Sequence, residues 1–526
     1  MGVWAWYFFA KLYLAASGYI GLHVLANLAF AAALALPLPR RWMRIARHVA
    51  AVPLAIALLY HDSWLPPIAR TLSLTGNLKQ FTLPYLVELL GRFVDLRVLA
   101  MLVAICAITA ILGRKLRLST FVFAGLVLVP LGLRVAALDW HPQPAAPVAG
   151  TDAIAAPLAA ATPEVLEREL QAFYRKEATR RVVFPAAAAD NAAPFDLLIL
   201  HICSLAWDDM DYAGEREHPL LSASDFQLRN FNTAASYSGP AAARLLQAAC
   251  GQTPDEQLYK PQPPECLLVN GLQNAGFEPQ LAMNHDGHFD DFLGLLNQRG
   301  GLRAPLLNHD GVAVRLHAFD GSPLYGDYDM LAHWWQQRLA SPAPQVALYY
   351  NSITMHDGNT VDGVKLASGK DSYRYRLDLL FGDLQRFIDL VQSSGRRAVV
   401  VIVPEHGANV RGDRMQIAGL REIPSPAVSL GPTAVRLVNL PQPPTGGAQR
   451  IEQPTALFGL VSLIQSLIRE NPFAAGGSVD LAHYAAAVPA TSPAVAENER
   501  TVVMSHGSEH WLRSPDGSWQ KYDVAR

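Results

Sequence analysis

Four apolar stretches crowd into the first 140 residues of this 526-residue chain, near Leu12–Leu36, Met43–Leu65, Phe93–Leu112 and Thr120–Leu138. About 20 mainly apolar residues suffice for a helix to cross a bilayer. Each stretch reaches that length with tolerated interruptions such as Pro53 and Pro130. Membrane helices are therefore expected, against the alternative of buried helices in a soluble domain. The first run is too long for a cleavable signal and lacks a basic start with a small-residue cleavage site. Charge supports the division. Residues 1–140 carry 13 Lys and Arg against 4 Asp and Glu, and the remainder carries 30 against 41. The whole chain is 51% hydrophobic and only 17% charged, with mean hydropathy +0.14, where an ordinary soluble domain has about 25% charge. Disorder, a coiled coil and a cytosolic enzyme are all poor fits, and the acidic back half argues against a nucleic-acid partner.

Basic loops set the expected orientation. Arg40, Arg41, Arg44 and Arg47 lie between the first two stretches, and Arg114, Lys115 and Arg117 between the last two. Both loops belong on the cytoplasmic side, which puts everything after Trp140 outside. The aromatic run ahead of Leu12 extends the first helix or adds a fifth crossing. Leu83–Phe93 reads as a helix lying at the outer surface. The organisation expected is a transmembrane domain over 1–140, an Ala/Pro-rich linker over 141–163 and a water-exposed domain on the outer side over 164–526.

Beyond the linker, Asp196–Ile202, Val312–Leu316, Gln345–Tyr350 and Ala398–Val403 are short continuous apolar runs, as in strands buried on both faces. Leu377, Leu380, Phe381, Leu384, Phe387, Ile388 and Val391 follow helical spacing, with Gly395 just past the end. Alternating strands and helices predict an α/β domain with a mostly parallel central sheet. Ser514-Pro-Asp-Gly517 reads as the turn of a terminal hairpin.

Cys106 falls inside the third apolar stretch. Cys250 and Cys266, close in sequence with loop-like flanks, are the natural disulfide pair in an oxidising compartment. Cys203 is left over, either an inert core thiol or a metal ligand. In open α/β sheets ligands bind beyond the carboxyl ends of the strands. One expected strand ends at Cys203-Ser204 and another at Pro404-Glu405-His406-Gly407. Thiolate, carboxylate and imidazole are all zinc ligands and together leave a tetrahedral position open; an ordinary strand-end pair is the plain alternative for Glu405-His406. Ser238, in Ser-Tyr-Ser-Gly-Pro240, stands at or near the N-cap of a helix, with Pro240 in the first turn. A helix start suits an incoming phosphate, and a serine bound to zinc there becomes a nucleophile; a plain capping serine is the alternative. His285, Asp286 and His288 read as a polar turn, or else as head-group or second-metal ligands. Asp208, Asp209 and Asp211 read as a solvated loop.

The run HDSWLP, HICSLAW, FNTAASYSGPAAARLL, ACGQ, AFDGSPLYGDY, MHDGN, VPEHGA and GDRMQIAGLREIPSP, in that order, resembles the bacterial cellulose phosphoethanolamine transferases. These are a membrane-bound branch of the alkaline phosphatase superfamily, and the resemblance covers nearly the whole chain. It implies an α-helical transmembrane domain plus an α/β periplasmic domain built as an alkaline-phosphatase-like sandwich, held in the inner membrane. The activity implied is transfer of phosphoethanolamine from phosphatidylethanolamine to glucose C6 hydroxyls of cellulose, beside the bacterial cellulose synthase complex. It further implies Ser238 as nucleophile, Cys203, Ser238, Glu405 and His406 as zinc ligands, His356 as a residue needed for activity, Tyr237 and Arg421 as neighbours of the site, and Cys250 with Cys266 as the cysteine pair. Relatives that modify lipid A carry Glu, Thr and Asp-His where this chain has Cys203, Ser238 and Glu405-His406. No Cys-x-Pro-x-Arg surrounds any of the four cysteines, which removes a sulfatase reading. Another periplasmic acceptor and a non-catalytic scaffold of a polysaccharide synthase remain as alternatives.

Overall fold

A run like Ala398–Val403 has no wet face to offer, so any sheet containing it must be covered on both sides. The computed structural model describes the chain outside residues 1–3, 18–19, 64–81, 84, 88–90, 92–95, 113–115, 140–159, 188–192, 366–368, 475–478 and 523–526. It divides into two units, residues 1–157 with 413–417 and 525–526, and residues 158–412 with 418–524. The expected linker falls largely outside the described residues, as does most of the surface helix expected over Leu83–Phe93.

The larger unit is built on one sheet of eight strands: β1 (Asp196–Ile202), β2 (Phe226–Asn232), β3 (Glu278–Met283), β4 (Val346–Ser352), β5 (Ala398–Pro404), β6 (Leu430–Val438), β7 (Gln449–Ile451) and β8 (Thr455–Ala456). Their order is β7-β2-β6-β5-β1-β4-β3, with β8 also paired to β2. Every pairing is parallel except those of β6, which runs antiparallel to both β2 and β5. Alternate residues of the central strands feed two separate cores. Leu197, Ile199, Val399 and Val401 pack with the helices Ser238–Leu246 and Leu457–Glu470. Leu198, Leu200, Val400 and Ile402 pack with the helices Asp327–Ala340 and Lys370–Ser393. That is why Leu197–Leu200 and Val399–Ile402 are apolar at consecutive positions. The seven apolar residues picked out by helical spacing are all buried on the helix Lys370–Ser393, each contributing about 2 kcal/mol by burial. Gly395 leaves that helix at φ +72°, a conformation only glycine adopts without strain.

Val312–Leu316 does not join the central sheet. The strand Val314–His317 sits with Pro323–Tyr325 and Thr360–Val361 in a small antiparallel sheet, and Val314 and Arg315 are exposed. At the C-terminus Val495–Asn498, Thr501–His506, Glu509–Arg513 and Trp519–Tyr522 form a four-stranded antiparallel sheet. The Ser514–Gly517 turn joins the last two strands, with Gly517 at φ +88°. The helix Pro163–Glu177 covers this sheet through Leu166, Leu170 and Phe173.

Cys250 and Cys266 are bonded to each other across 16 residues of sequence; Cys106 and Cys203 are free. A crosslink closing a loop of that length stabilises by about 3 kcal/mol through the unfolded chain. Replacing both cysteines with alanine is expected to remove about that much, read as a lower midpoint in a urea titration.

In the smaller unit, Leu12–Leu36 is not one helix. The helix Trp4–Ala16 ends before the helix Val24–Ala35 begins, so the N-terminal aromatic run belongs to a helix of its own. Asp62, buried at the end of the helix Arg41–Asp62, explains the break. It pairs with Lys11, accepts from Asn27 Nδ2 at 2.7 Å and from the His23 N–H at 3.3 Å, while its carbonyl takes the Gly21 N–H at 2.8 Å. Wrapping the backbone of residues 21–23 around this carboxylate requires it to leave the helix. Among the described residues Arg41–Asp62 is long and apolar enough to cross a bilayer, and Val24–Ala35, Arg97–Leu112 and Leu118–Leu131 are shorter apolar helices.

Candidate metal and nucleophile site

Because β1, β4 and β5 are parallel and in register, with Ile202 opposite both Ser352 and Pro404, their carboxyl ends finish at one edge. The chain keeps this alignment past the strands. Cys203 N–H reaches Ser352 O at 2.9 Å, Glu405 N–H reaches Ile202 O at 2.8 Å, and Leu205 N–H reaches His406 O at 2.7 Å. The turn that follows β1 is strained: Ser204 stands at φ +60°, a conformation that costs a non-glycine residue about 1–3 kcal/mol. Its carbonyl accepts from Tyr373 Oη at 3.2 Å and its Oγ from Arg421 Nη1 at 3.3 Å.

β2 delivers the serine. After Asn232, whose Oδ1 accepts the Ala234 N–H at 2.9 Å, the chain enters the helix Ser238–Leu246. The N-cap is Tyr237, and Ser238 is the first helical residue. The Ser238 hydroxyl is therefore not used as the helix cap. It stands 3.3 Å from His406 Nε2 and 3.5 Å from Cys203 Sγ, and that sulfur is 3.8 Å from His406 Nε2. Glu405 Oε2 is also 3.8 Å from His406 Nε2. Cys203, Glu405 and His406 present ligand atoms within 4.8 Å of one another, and no other group of three His, Cys, Asp or Glu among the described residues does so.

All three are buried, and burial is the largest influence on each. It pushes the Cys203 thiol up to about 12, with the Glu405 charge adding to it. It raises Glu405 against the pull of Ser238, Asn351 and Cys203, and it drives His406 well below its usual range, helped by the Arg421 charge. Burial thus opposes the charged forms in which Cys203 and Glu405 bind a metal, and keeps His406 in the neutral form that does. Glu405 Oε2 is buried with no hydrogen-bond partner, an arrangement that costs free energy unless something positive meets it. His406 Nδ1 lies 2.8 Å from Gly407 O; with its proton donated there, the Nε2 lone pair faces the other donors. One sulfur, one imidazole nitrogen and oxygens from Glu405 and Ser238 are a donor set that zinc accepts in tetrahedral geometry.

Around these donors, the Tyr237 ring lies 6.4 Å from the His406 ring and under the Arg421 guanidinium at 5.2 Å, and its hydroxyl donates to Glu422 at 2.7 Å. Arg421 is nearly buried, and its Nε has no hydrogen-bond partner. The His356 ring lies tilted against that of Phe319, 4.5 Å between centres, and directs Nδ1 to Asp357 O at 2.7 Å. Burial, with Arg421 next, holds it down at about 4.

Two residues depart from the reading of the sequence. Asp209 is not in a solvated loop: it is fully buried, and its carboxylate accepts the N–H groups of Ala408 (2.6 Å), Asn409 (3.3 Å) and Val410 (2.7 Å). It clamps the loop that follows Glu405-His406. Gly407 is required there, since a Cβ would meet Ala206 at 2.6 Å and Asp209 at 2.8 Å. Asp209→Ala leaves three amides without their acceptor, at about 1–3 kcal/mol each. A stability loss of about 3 kcal/mol or more is expected in a denaturant titration. His285 is turned inward onto Asn351 at 2.8 Å, and burial holds it down at about 4. His288 instead pairs with Asp286 at 2.5 Å and Asp320 at 3.2 Å, linking NHDGHF to AFDGSP. Asn351, which donates to Glu405 Oε1 at 2.6 Å, was not singled out from the sequence. Its signal was its place near the carboxyl end of an apolar parallel strand.

The chain is similar to the cellulose biosynthesis protein BcsG of Escherichia coli (strain K12), 36% identical over 542 aligned positions covering 99% of this chain and 96% of that protein. In structure it is similar to a protein of the alkaline phosphatase superfamily from Vibrio parahaemolyticus, with TM-score 0.48 and 13% identity over 68% of this chain and 91% of that one. It is also similar to the C-terminal periplasmic domain of EcEptC from Escherichia coli in complex with Zn, with TM-score 0.38 and 17% identity over 54% and 86% of the two chains. The model of the BcsG N-terminal domain matches residues 4–131, and that of the cellulose biosynthesis protein BcsG C-terminal domain matches residues 151–519. On this match and the near full-length identity, the chain belongs to the BcsG family of cellulose biosynthesis proteins.

Proposed function

We propose that this chain transfers phosphoethanolamine from phosphatidylethanolamine to glucose C6 hydroxyls of cellulose, with Ser238 as nucleophile and Cys203, Ser238, Glu405 and His406 holding a zinc ion. In this reading the N-terminal unit spans the inner membrane several times and the larger unit works in the periplasm beside the cellulose synthase. The observation that carries it is the meeting of a thiol, a hydroxyl, a carboxyl and an imidazole at the carboxyl edge of a mostly parallel sheet. Family membership and the ordered motifs support the donor and acceptor.

When bound, zinc lowers the pKa of the Ser238 hydroxyl and offsets negative charge on the phosphoryl oxygens. The rest falls to the chain. Ser238 gives up its hydroxyl proton as Oγ attacks phosphorus, the bond to the diacylglycerol oxygen breaks, and that oxygen leaves carrying a proton in exchange. A phosphoethanolamine ester remains on Ser238. The acceptor hydroxyl then attacks the same phosphorus and gives up its proton, the bond from phosphorus to Ser238 Oγ breaks, and the serine hydroxyl takes a proton back. The Ser238 and Gly239 amides, at the first two positions of the helix, have no partner within it and suit the phosphoryl oxygens. Arg421 adds a buried positive charge beside them. His356 is neutral near pH 7, and with Nδ1–H given to Asp357 O its Nε2 is an acceptor. That fits the base that takes the proton of the acceptor hydroxyl better than the acid that protonates the leaving oxygen. The membrane helices keep the site close to its lipid donor and raise its effective concentration.

Mass analysis of extracellular cellulose tests the assignment. Cells with the intact chain should make cellulose carrying phosphoethanolamine, and cells without the chain should make it bare. Unchanged modification in the deletion strain, or loss of phosphoethanolamine from lipid A with cellulose unaffected, contradicts it.

A further inference from the structure

We propose that Asn351 and His285 are positioning residues for the metal site, holding Glu405 by one oxygen through a directed hydrogen-bond chain so that Oε2 alone is presented to an ion. The inference rests on the zinc reading above.

Direction along the chain of bonds is fixed by its first member. The Gly287 N–H donates to His285 Nδ1 at 3.1 Å, so that nitrogen is the acceptor and the ring proton sits on Nε2. Nε2–H then donates to Asn351 Oδ1 at 2.8 Å. With its oxygen so engaged, the amide has one orientation, and its Nδ2 donates to Glu405 Oε1 at 2.6 Å and to His201 O at 3.0 Å. Asn351 and Glu405 are fully buried and His285 nearly so. No water competes for these bonds, and loss of any one strands a buried polar group. Glu405 Oε2 is the atom left over. It has no hydrogen-bond partner and lies 3.8 Å from His406 Nε2, on the side of the other donors. A carboxylate pinned by one oxygen and bare at the other binds a cation through a single oxygen. The turn that supplies the Gly287 N–H, with Gly287 at φ +71°, belongs to the motif NHDGHF. That motif therefore reaches the metal site at two removes, rather than as a second set of ligands.

The test measures zinc affinity of the full chain in detergent, by competition with a chromophoric chelator, for the parent and three variants. Asn351→Leu removes both donors and is expected to weaken zinc binding about 10- to 100-fold. His285→Asn, too short to reach Asn351, should weaken it about tenfold, whereas His285→Gln, which puts an N–H where Nε2–H stood, should stay within about threefold of the parent. Parent-like affinity in both Asn351→Leu and His285→Asn would overturn the inference, as would equal losses in His285→Gln and His285→Asn. The two His285 variants decide the matter even if Asn351→Leu does not fold. A parent chain that takes up no zinc overturns the zinc reading itself, a result distinct from tight binding that the variants leave unchanged.

Discussion

Ser238→Ala should abolish phosphoethanolamine transfer, lowering the rate by roughly 10⁴-fold or more, while the chain still binds zinc through its other three ligands. The reason is local. Ser238 Oγ is a hydroxyl at the start of a helix, close to both Cys203 Sγ and His406 Nε2, and alanine offers no atom that bonds to phosphorus. The helix loses nothing structural, because Tyr237 occupies the N-cap and makes no side-chain cap. Thermal midpoint should therefore move little. A second readout is the covalent intermediate: the parent chain, given phosphatidylethanolamine without acceptor, should gain one phosphoethanolamine on Ser238 by mass spectrometry. An adduct on another residue, or transfer persisting in Ser238→Ala, contradicts the assignment.

Cys203→Ala should cost more than about 100-fold in zinc affinity, beyond the 10- to 100-fold typical of losing an outer partner. It removes the sulfur and leaves Glu405, His406 and Ser238 in place. Its effect on pH dependence is separable from any loss of packing. In the parent the Cys203 thiol, pushed up to about 12, is protonated at neutral pH, so binding zinc expels that proton. Raising the pH removes the competition, and apparent affinity should rise by about tenfold per unit from this group alone. Cys203→Ala should lose that slope. A variant as tight as the parent with the same slope would place the sulfur outside the metal shell.

The sequence was most legible where physical demands leave one pattern. Strands such as Asp196–Ile202 and Ala398–Pro404 are wedged between two helix layers, and burial on both faces makes them apolar but for Asp196 and His201. Their parallel register then brings residues 203 and 405 to one edge although some 200 positions separate them. Val312–Leu316 showed a similar pattern and misled, because four apolar residues around Arg315, in a small sheet with an exposed face, look like a buried strand when counted alone. Leu12–Leu36 read as one helix because its residues are mainly apolar, with only Ser17, Gly18, Gly21, His23 and Asn27 interrupting. What breaks it is Asp62, supplied from another helix. Asp209 and His285 were misjudged for a related reason: their partners are backbone amides and Asn351, and neither leaves a mark in the local sequence. Such pairings become visible only when the strands are assembled.

Zinc-edge X-ray absorption on the zinc-loaded full chain bears most directly on the central claim. The predicted shell contains one sulfur at about 2.3 Å with nitrogen and oxygen at about 2.0–2.2 Å, the sulfur vanishing in Cys203→Ala. A shell of oxygen and nitrogen alone in the parent chain would contradict the account.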